Sequence, residues 1–68
     1  MMLDEIKKYA RQVPFRPFAI ETESGTQFTI VDSYRIAIDE QRGRVVVFDT
    51  DGLVEIIDLN AVQIVTIP

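Results

Sequence analysis

The chain has 68 residues, 47% of them apolar and 26% charged, with a net charge of −4. This is the composition of one folded domain, and it excludes both a second domain and a disordered chain. There is no cysteine and no histidine, so disulfides are excluded and a structural zinc site is effectively ruled out.

The charge is unevenly distributed along the chain. Residues 1–20 carry four basic and two acidic side chains, whereas residues 45–68 carry four acidic side chains and no basic one. An acidic protein of this size lacks the positive field that favours phosphate backbones, which disfavours nucleic acid as a partner. The basic N-terminal stretch is either a patch for an acidic partner or the ordinary surface of a helix.

Residues 2–13 are predicted to form a short amphipathic helix. Apolar side chains recur there at helical spacing, at Met2, Ile6, Tyr9 and Val13. Acidic residues open the segment and basic residues close it, as the helix dipole favours. Pro14 disfavours helical geometry at Val13 and is expected to end the helix. The acidic start of the chain and the lack of a membrane-length apolar run favour a cytoplasmic protein that binds no membrane.

Residue types follow the same order in two segments, residues 16–32 and 44–58. Each has an arginine, alternating apolar residues, a turn ending in glycine, further alternating apolar residues and an aspartate. This pattern predicts two β-hairpins with three-residue loops and left-handed conformations at Gly25 and Gly52. The predicted core pairs are Phe18–Ile30 and Ile20–Phe28 in the first hairpin, and Val46–Ile56 and Phe48–Val54 in the second. Each hairpin is expected to end in an ion pair, Arg16–Asp32 or Arg44–Asp58.

The remaining elements lie between and after the hairpins. Tyr34, Ile36 and Ile38 alternate, which predicts a middle strand with all three side chains on the core face. The polar residues 39–43 predict a turn. Residues 59–62 are predicted to form one helical turn, and residues 63–67 a last short strand.

In this order of elements the chain resembles the small barrels of the SH3-like and Sm-like type, in which a short helical turn commonly precedes the final strand. The resemblance implies a mainly β fold with one N-terminal α-helix (residues 2–13) and a small antiparallel barrel of about five to six short strands (residues 16–68). The Sm-type signature for uridine recognition is not visible, so RNA binding is not implied.

At the level of residues the chain is similar to a group of short bacterial proteins of uncharacterised function. The matching segments are residues 14–20 (PFRPFAI), 24–25 (SG), 43–47 (GRVVV) and 57–59 (IDL), with Val62 after them. Members often have an acidic-Gly turn at the position of Ser24-Gly25, and a His-Pro step where this chain has Asp32-Ser33-Tyr34. Since the group has no assigned activity or site residues, the resemblance implies a fold and transfers no function.

The side-chain inventory argues against catalysis. A hydrolytic triad would have to combine Ser24 or Ser33 with a lysine base, but Ser24 lies in a predicted tight turn and the lysines lie in the predicted helix. Residues 49–52 (DTDG) resemble the start of a calcium loop, yet the glycine comes fourth instead of sixth and no suitable glutamate follows. We therefore expect no enzyme activity, no metal site and no cofactor.

Phe15, Arg16 and Arg35 form a candidate ligand surface. An exposed ring beside guanidinium groups suits a Pro-rich peptide or single-stranded nucleic acid. The simpler interpretation is that Phe15 packs against the core or the helix.

The last candidate surface is an interface. Val45, Val47, Leu53 and Ile57 are predicted to point away from the core and to form a second apolar face that needs a cover. Either the helix or a second subunit could supply it, and the small core favours a subunit. The resulting hypothesis is a noncatalytic small β-barrel that acts by contact with an unknown protein partner and forms homo-oligomers. The alternative is an Sm-like nucleic-acid-binding ring subunit.

Overall fold

The computed structural model describes residues 2–67 and contains one helix, six strands and two 3₁₀ turns. Helix α1 spans Met2–Ala10, and the first 3₁₀ turn (Ser33–Arg35) and the second (Leu59–Ala61) precede β3 and β6. The strands are β1 (Phe18–Thr22), β2 (Gln27–Ile30), β3 (Ile36–Asp39), β4 (Arg44–Phe48), β5 (Val54–Asp58) and β6 (Val62–Thr66).

The strands form two antiparallel three-stranded sheets. The first sheet has the order β2-β1-β6 and the second has the order β3-β4-β5. The buried core draws on both sheets and on the helix, through Ile6, Phe18, Ile20, Ile30, Val45, Val47, Ile57 and Val62. The fold is therefore mainly β with one N-terminal helix, as the sequence predicts.

The helix is shorter than predicted, because it ends at Ala10 and not at Val13. The Gln12 side-chain amide donates hydrogen bonds to the carbonyls of Tyr9 (2.8 Å) and Arg16 (3.1 Å), so it satisfies the end of the helix and holds the following turn. Val13 is 96% exposed and does not belong to the apolar stripe. Ile6 is fully buried and the Tyr9 ring stacks on Phe18 at 5.7 Å, which seats the helix on the core.

Both hairpins have the predicted register. Phe18 lies opposite Ile30 and Ile20 opposite Phe28. The pairs of the second hairpin are Val46–Ile56, Phe48–Val54 and Arg44–Asp58, again as predicted.

The two turns are also as predicted. Gly25 and Gly52 have φ of +87° and +83°, the left-handed region that a residue with a Cβ enters only with strain. The Gly25 amide donates to the Thr22 carbonyl (2.9 Å) and the Gly52 amide to the Asp49 carbonyl (3.1 Å). Each loop therefore has three residues and the same closing hydrogen bond.

The second hairpin, however, buries the opposite face from the one predicted. Val45, Val47 and Ile57 are at most 5% exposed, whereas Ile56 and Val54 are 60% and 54% exposed. Both faces of this hairpin are apolar, so alternation alone cannot choose between them. The exposed face also carries Arg44 and Asp58, whose charges stay in water when that face is turned outward.

The middle strand begins later than predicted. Tyr34 belongs to the first 3₁₀ turn and is 71% exposed, so its assignment to the core is wrong. The Tyr34 hydroxyl donates to the Asp32 carboxylate at 3.1 Å, which keeps the polar end of the ring in contact with solvent and charge. Ile36 and Ile38 do pack against the core, as predicted.

The predicted ion pairs at the hairpin ends are replaced by pairs with other residues. Arg44 lies opposite Asp58 in the strand register, but its Nε lies 3.5 Å from the carboxylate of Asp39, while Asp58 accepts a hydrogen bond from the Asn60 amide (2.9 Å). Asp32 lies 3.6 Å from Arg35 Nε, and Arg16 precedes β1. Asp32 and Arg35 lie three residues apart in one turn, whereas Asp39 lies opposite Arg44 across β3 and β4, so Arg44 pairs with the strand on its other side.

Candidate interaction surface

Three of the four side chains predicted to form an interface are core residues. Val45, Val47 and Ile57 pack in one cluster with Ile6 of the helix and with residues of the first sheet. The helix and the first sheet of the same chain cover them. The helix was one of the two covers that the sequence left open, and the prediction that these three residues point away from the core is wrong. Leu53 alone remains on the surface, with 59% of its area exposed.

An apolar surface lies on the other side of the same sheet. We call it the outer face, and it consists of Ala37, Val46, Phe48, Val54 and Ile56. Ala37 pairs with Val46 and Val46 with Ile56, so these three form one row across the sheet. Phe48 and Val54 form the next row and are 41% and 54% exposed. Adjacent exposed aliphatic and aromatic side chains on one sheet face mark an interaction surface.

Charged groups border the outer face along the strands. Asp39, Arg44 and Asp58 form a third row at the open end of the second hairpin. Arg42 adds an exposed guanidinium there, 3.3 Å from Asp39, and its backbone amide also donates to that carboxylate (3.2 Å). At the opposite end, the turn carries the exposed Asp51. The apolar rows therefore lie between two polar ends, which is the layout of an interface core with its rim.

The charges at the open end act on the pKa of Asp39. Desolvation raises this pKa, but the hydrogen bonds from Arg42 and the positive charges of Arg42 and Arg44 outweigh it, so the net pKa is lowered from 3.8. Asp39 is therefore ionised at neutral pH and holds both arginines at this end of the sheet.

The candidate ligand residues are not brought together. Phe15 packs its ring against Phe18 at 6.0 Å, which agrees with the simpler interpretation of this residue. Arg16 is exposed in the segment before β1. Arg35 belongs to the first 3₁₀ turn and lies over the Tyr34 ring at 5.4 Å.

Arg35 instead lines a surface cleft of about 260 Å³ between β2 and the second hairpin, with Phe28 and Phe48 among its neighbours. Two carboxylates, Asp49 and Glu55, also line this cleft. The combination of rings and a guanidinium thus exists, but with different aromatic residues from those predicted. The spacing of Arg35 and Phe48 in the sequence does not indicate that they line one cleft, because this depends on how the two sheets pack.

Few side chains among residues 2–67 could act as a nucleophile or bind a metal ion. The Ser24 hydroxyl is engaged with those of Thr22 (2.8 Å) and Thr26 (3.2 Å) and closes the first turn. Within residues 2–67 no group of three or more acidic side chains could hold a metal ion. No helix in that range is long and apolar enough to cross a membrane.

Comparisons with protein-family models, with curated proteins and with solved structures found no match for this chain. The case for a function therefore depends on the surface itself.

The outer face was not predicted, although the sequence contains a signal for it. Arg44 and Asp58 share the alternation of Val46 and Ile56, and Asp39 pairs with Arg44. Three charged side chains in one row indicate the solvent side of a sheet, since an inward row would desolvate them.

Proposed function

We propose that this chain is a noncatalytic small β-barrel protein of the SH3-like or Sm-like type that acts by protein–protein contact and self-associates through its outer face. The observation that carries the proposal is the exposure of Phe48, Val54 and Ile56 in two adjacent rows of one sheet. Burying them against a second copy would remove apolar area from water at about 25 cal/mol per Å². Because this domain has a small core, burial of further apolar area adds a large share to its stability.

The strand order supports a barrel. Only residues 31–35 separate β2 from β3, so these two strands can act as the arms of one bent strand that joins the sheets. The order then runs β6-β1-β2/β3-β4-β5, with the second 3₁₀ turn connecting its two ends. Backbone hydrogen bonds from Glu23 to Ala61 (2.8 Å) and from Leu59 to Gly43 (2.8 Å) tie that turn to both sheets.

Sedimentation of the full chain at tens of micromolar tests the proposal. The expected mass is a multiple of the 7.8 kDa monomer. Ile56→Lys places a charge in the centre of the outer face, and it is expected to give a monomer that remains folded, because the side chain lies outside the core. Gln63→Lys, on an exposed position of β6, is the matched control and is expected to keep the wild-type mass.

A wild-type chain that sediments as a monomer would contradict self-association. So would an Ile56→Lys variant that keeps the oligomeric mass of the wild type, because the contact would then lie elsewhere.

An Sm-like nucleic-acid-binding ring subunit is the second candidate, and the same strand order supports it. The net charge of −4 opposes it. Binding of single-stranded RNA that weakens steeply with salt would favour this candidate, whereas no binding at low salt would remove it.

A further inference from the structure

The two ends of the outer face differ in charge. Asp51 occupies the middle of the second hairpin's loop, is exposed, and has no basic residue among its neighbours in the segment 45–58. The open end carries Arg42 and Arg44 together with Asp39 and Asp58, so its charges balance. Of its two arginines, Arg42 is the more accessible, with 67% of its side chain exposed against 42% for Arg44. A second copy laid on this face would therefore meet an acidic end and an end of balanced charge with one accessible guanidinium group, that of Arg42.

Two aligned arrangements place one outer face on another across a two-fold axis. If the two-fold axis runs parallel to the strands, the second hairpin's loop in one copy lies over the same loop in the other copy. The two Asp51 carboxylates then repel each other. An axis across the strands sets each loop over the open end of the other copy. Each Asp51 carboxylate then meets an end that offers the Arg42 guanidinium instead of a second acidic loop, and both apolar rows remain in contact.

Arg42 is able to serve such a contact. Its backbone amide bond to Asp39 (3.2 Å) fixes the turn independently of the side chain. Its guanidinium makes only an exposed pair with Asp39 (3.3 Å), and exposed pairs of this kind contribute little. The side chain can thus turn towards a second carboxylate without loss of the turn.

We propose that two copies of this chain pack outer face to outer face with their strands antiparallel, so that Asp51 of each copy contacts Arg42 of the other. This inference rests on the proposed function, since it names the partner surface and the geometry of the same self-association. The two contacts are equivalent by symmetry, and each joins the loop of one copy to the open end of the other.

The test uses two charge reversals, Asp51→Arg and Arg42→Asp, each in the full chain. Each variant alone places like charges together at both contacts and is expected to raise the dimer dissociation constant roughly tenfold or more. An equimolar mixture is expected to form heterodimers with wild-type affinity. One contact in that heterodimer is the natural pair of Arg42 with Asp51. The other joins the arginine introduced at position 51 to the aspartate introduced at position 42, again with opposite charges. Glu23→Arg, in the loop of the first hairpin, is the control for the change in net charge and is expected to associate as the wild type does.

Recovery of association in the mixture, measured by sedimentation at low salt, would support this arrangement. A mixture that stays as weak as each variant alone would overturn it. If Ile56→Lys still dissociates the wild-type assembly in that case, the outer face remains the interface and only the arrangement is wrong. A monomeric wild type would instead remove the proposed function and this inference together.

Discussion

The two hairpins share one turn and bury opposite faces. In both, a left-handed glycine ends a three-residue loop and its amide bonds to the carbonyl three residues earlier. In the first hairpin the predicted pairs Phe18–Ile30 and Ile20–Phe28 face the core. In the second, the equivalent pairs face outward, while Val45, Val47 and Ile57 are buried.

The difference shows that the turn is determined by local sequence, whereas the choice of the buried face is determined by tertiary packing. A three-residue loop is specified by its glycine and by the strands beside it, so it forms in the same way at both sites. Which face is buried depends on what lies across the core. The first hairpin has large apolar side chains on one face only, whereas the second offers two apolar faces and needs the first sheet and the helix to choose between them.

The sharpest test of this comparison uses two neighbouring isoleucines of β5. Ile57 is 5% exposed and Ile56 is 60% exposed. Ile57→Ala is expected to lower the free energy of unfolding by about 2–4 kcal/mol, because it leaves a cavity in the core. Ile56→Ala is expected to change it by no more than about 0.5 kcal/mol in dilute solution. Urea denaturation of both variants measures the two effects.

The protein concentration is the control for that experiment. If the outer face is an interface, the cost of Ile56→Ala grows at concentrations where the chain associates, while the cost of Ile57→Ala persists at every concentration. Equal costs for both variants in dilute solution would mean that the second hairpin does not distinguish its faces as described.

Local patterns were sufficient for much of this fold. The register of both hairpins follows from alternation, glycine and polar clusters within about ten residues of each other. The second 3₁₀ turn and the last strand were also predicted, but the turn ends at Ala61 and the strand spans Val62–Thr66 instead of residues 63–67. The predicted end of the helix was wrong by three residues. The Gln12 side chain bonds to the Tyr9 carbonyl in place of the backbone amide four residues on, and the spacing of apolar residues does not indicate such a bond. Tyr34 was wrong because alternation continues through Ser33–Arg35, although the backbone there turns.

The second prediction concerns what the two hairpins have in common. A Cβ added to Gly25 or Gly52 would meet no atom within 4 Å, so the cost of a substitution comes from the positive φ alone. Gly25→Ala and Gly52→Ala are each expected to lower the free energy of unfolding by about 1–2 kcal/mol. Asparagine tolerates this conformation better, so Gly52→Asn is expected to cost less than Gly52→Ala. Thermal or urea unfolding that finds a large cost at one turn and none at the other would break the equivalence of the turns.

The candidate surface was harder to predict than the fold. The residues chosen for an interface, Val45, Val47 and Ile57, were identified correctly as one face of the hairpin but placed on the wrong side. Because the side-chain period of a strand is two, one wrong choice moved every residue of the set together. The cleft beside Arg35 could not be predicted, since its walls come from strands that meet only through the packing of the sheets.

The smallest expected effect lies at the open end of the second hairpin, where Asp39 pairs with two arginines, whereas Asp32 after the first hairpin pairs with Arg35 alone. The Asp39 carboxyl is expected to titrate below 3.8, because hydrogen bonds and charges from Arg42 and Arg44 outweigh its desolvation. A pKa lowered by folding adds stability above the unfolded pKa, and this contribution is lost as the pH falls through the folded pKa. Carbon-detected NMR titration of the carboxyl measures the pKa directly.

Arg42→Ala is the matched variant and is expected to raise the pKa of Asp39 towards 3.8. It removes one hydrogen bond and one positive charge, while the backbone amide of residue 42 still donates to Asp39. A carboxyl that titrates at or above 3.8 in the wild type would mean that Asp39 does not hold the two arginines, and that the open end of the outer face is less ordered than its distances indicate.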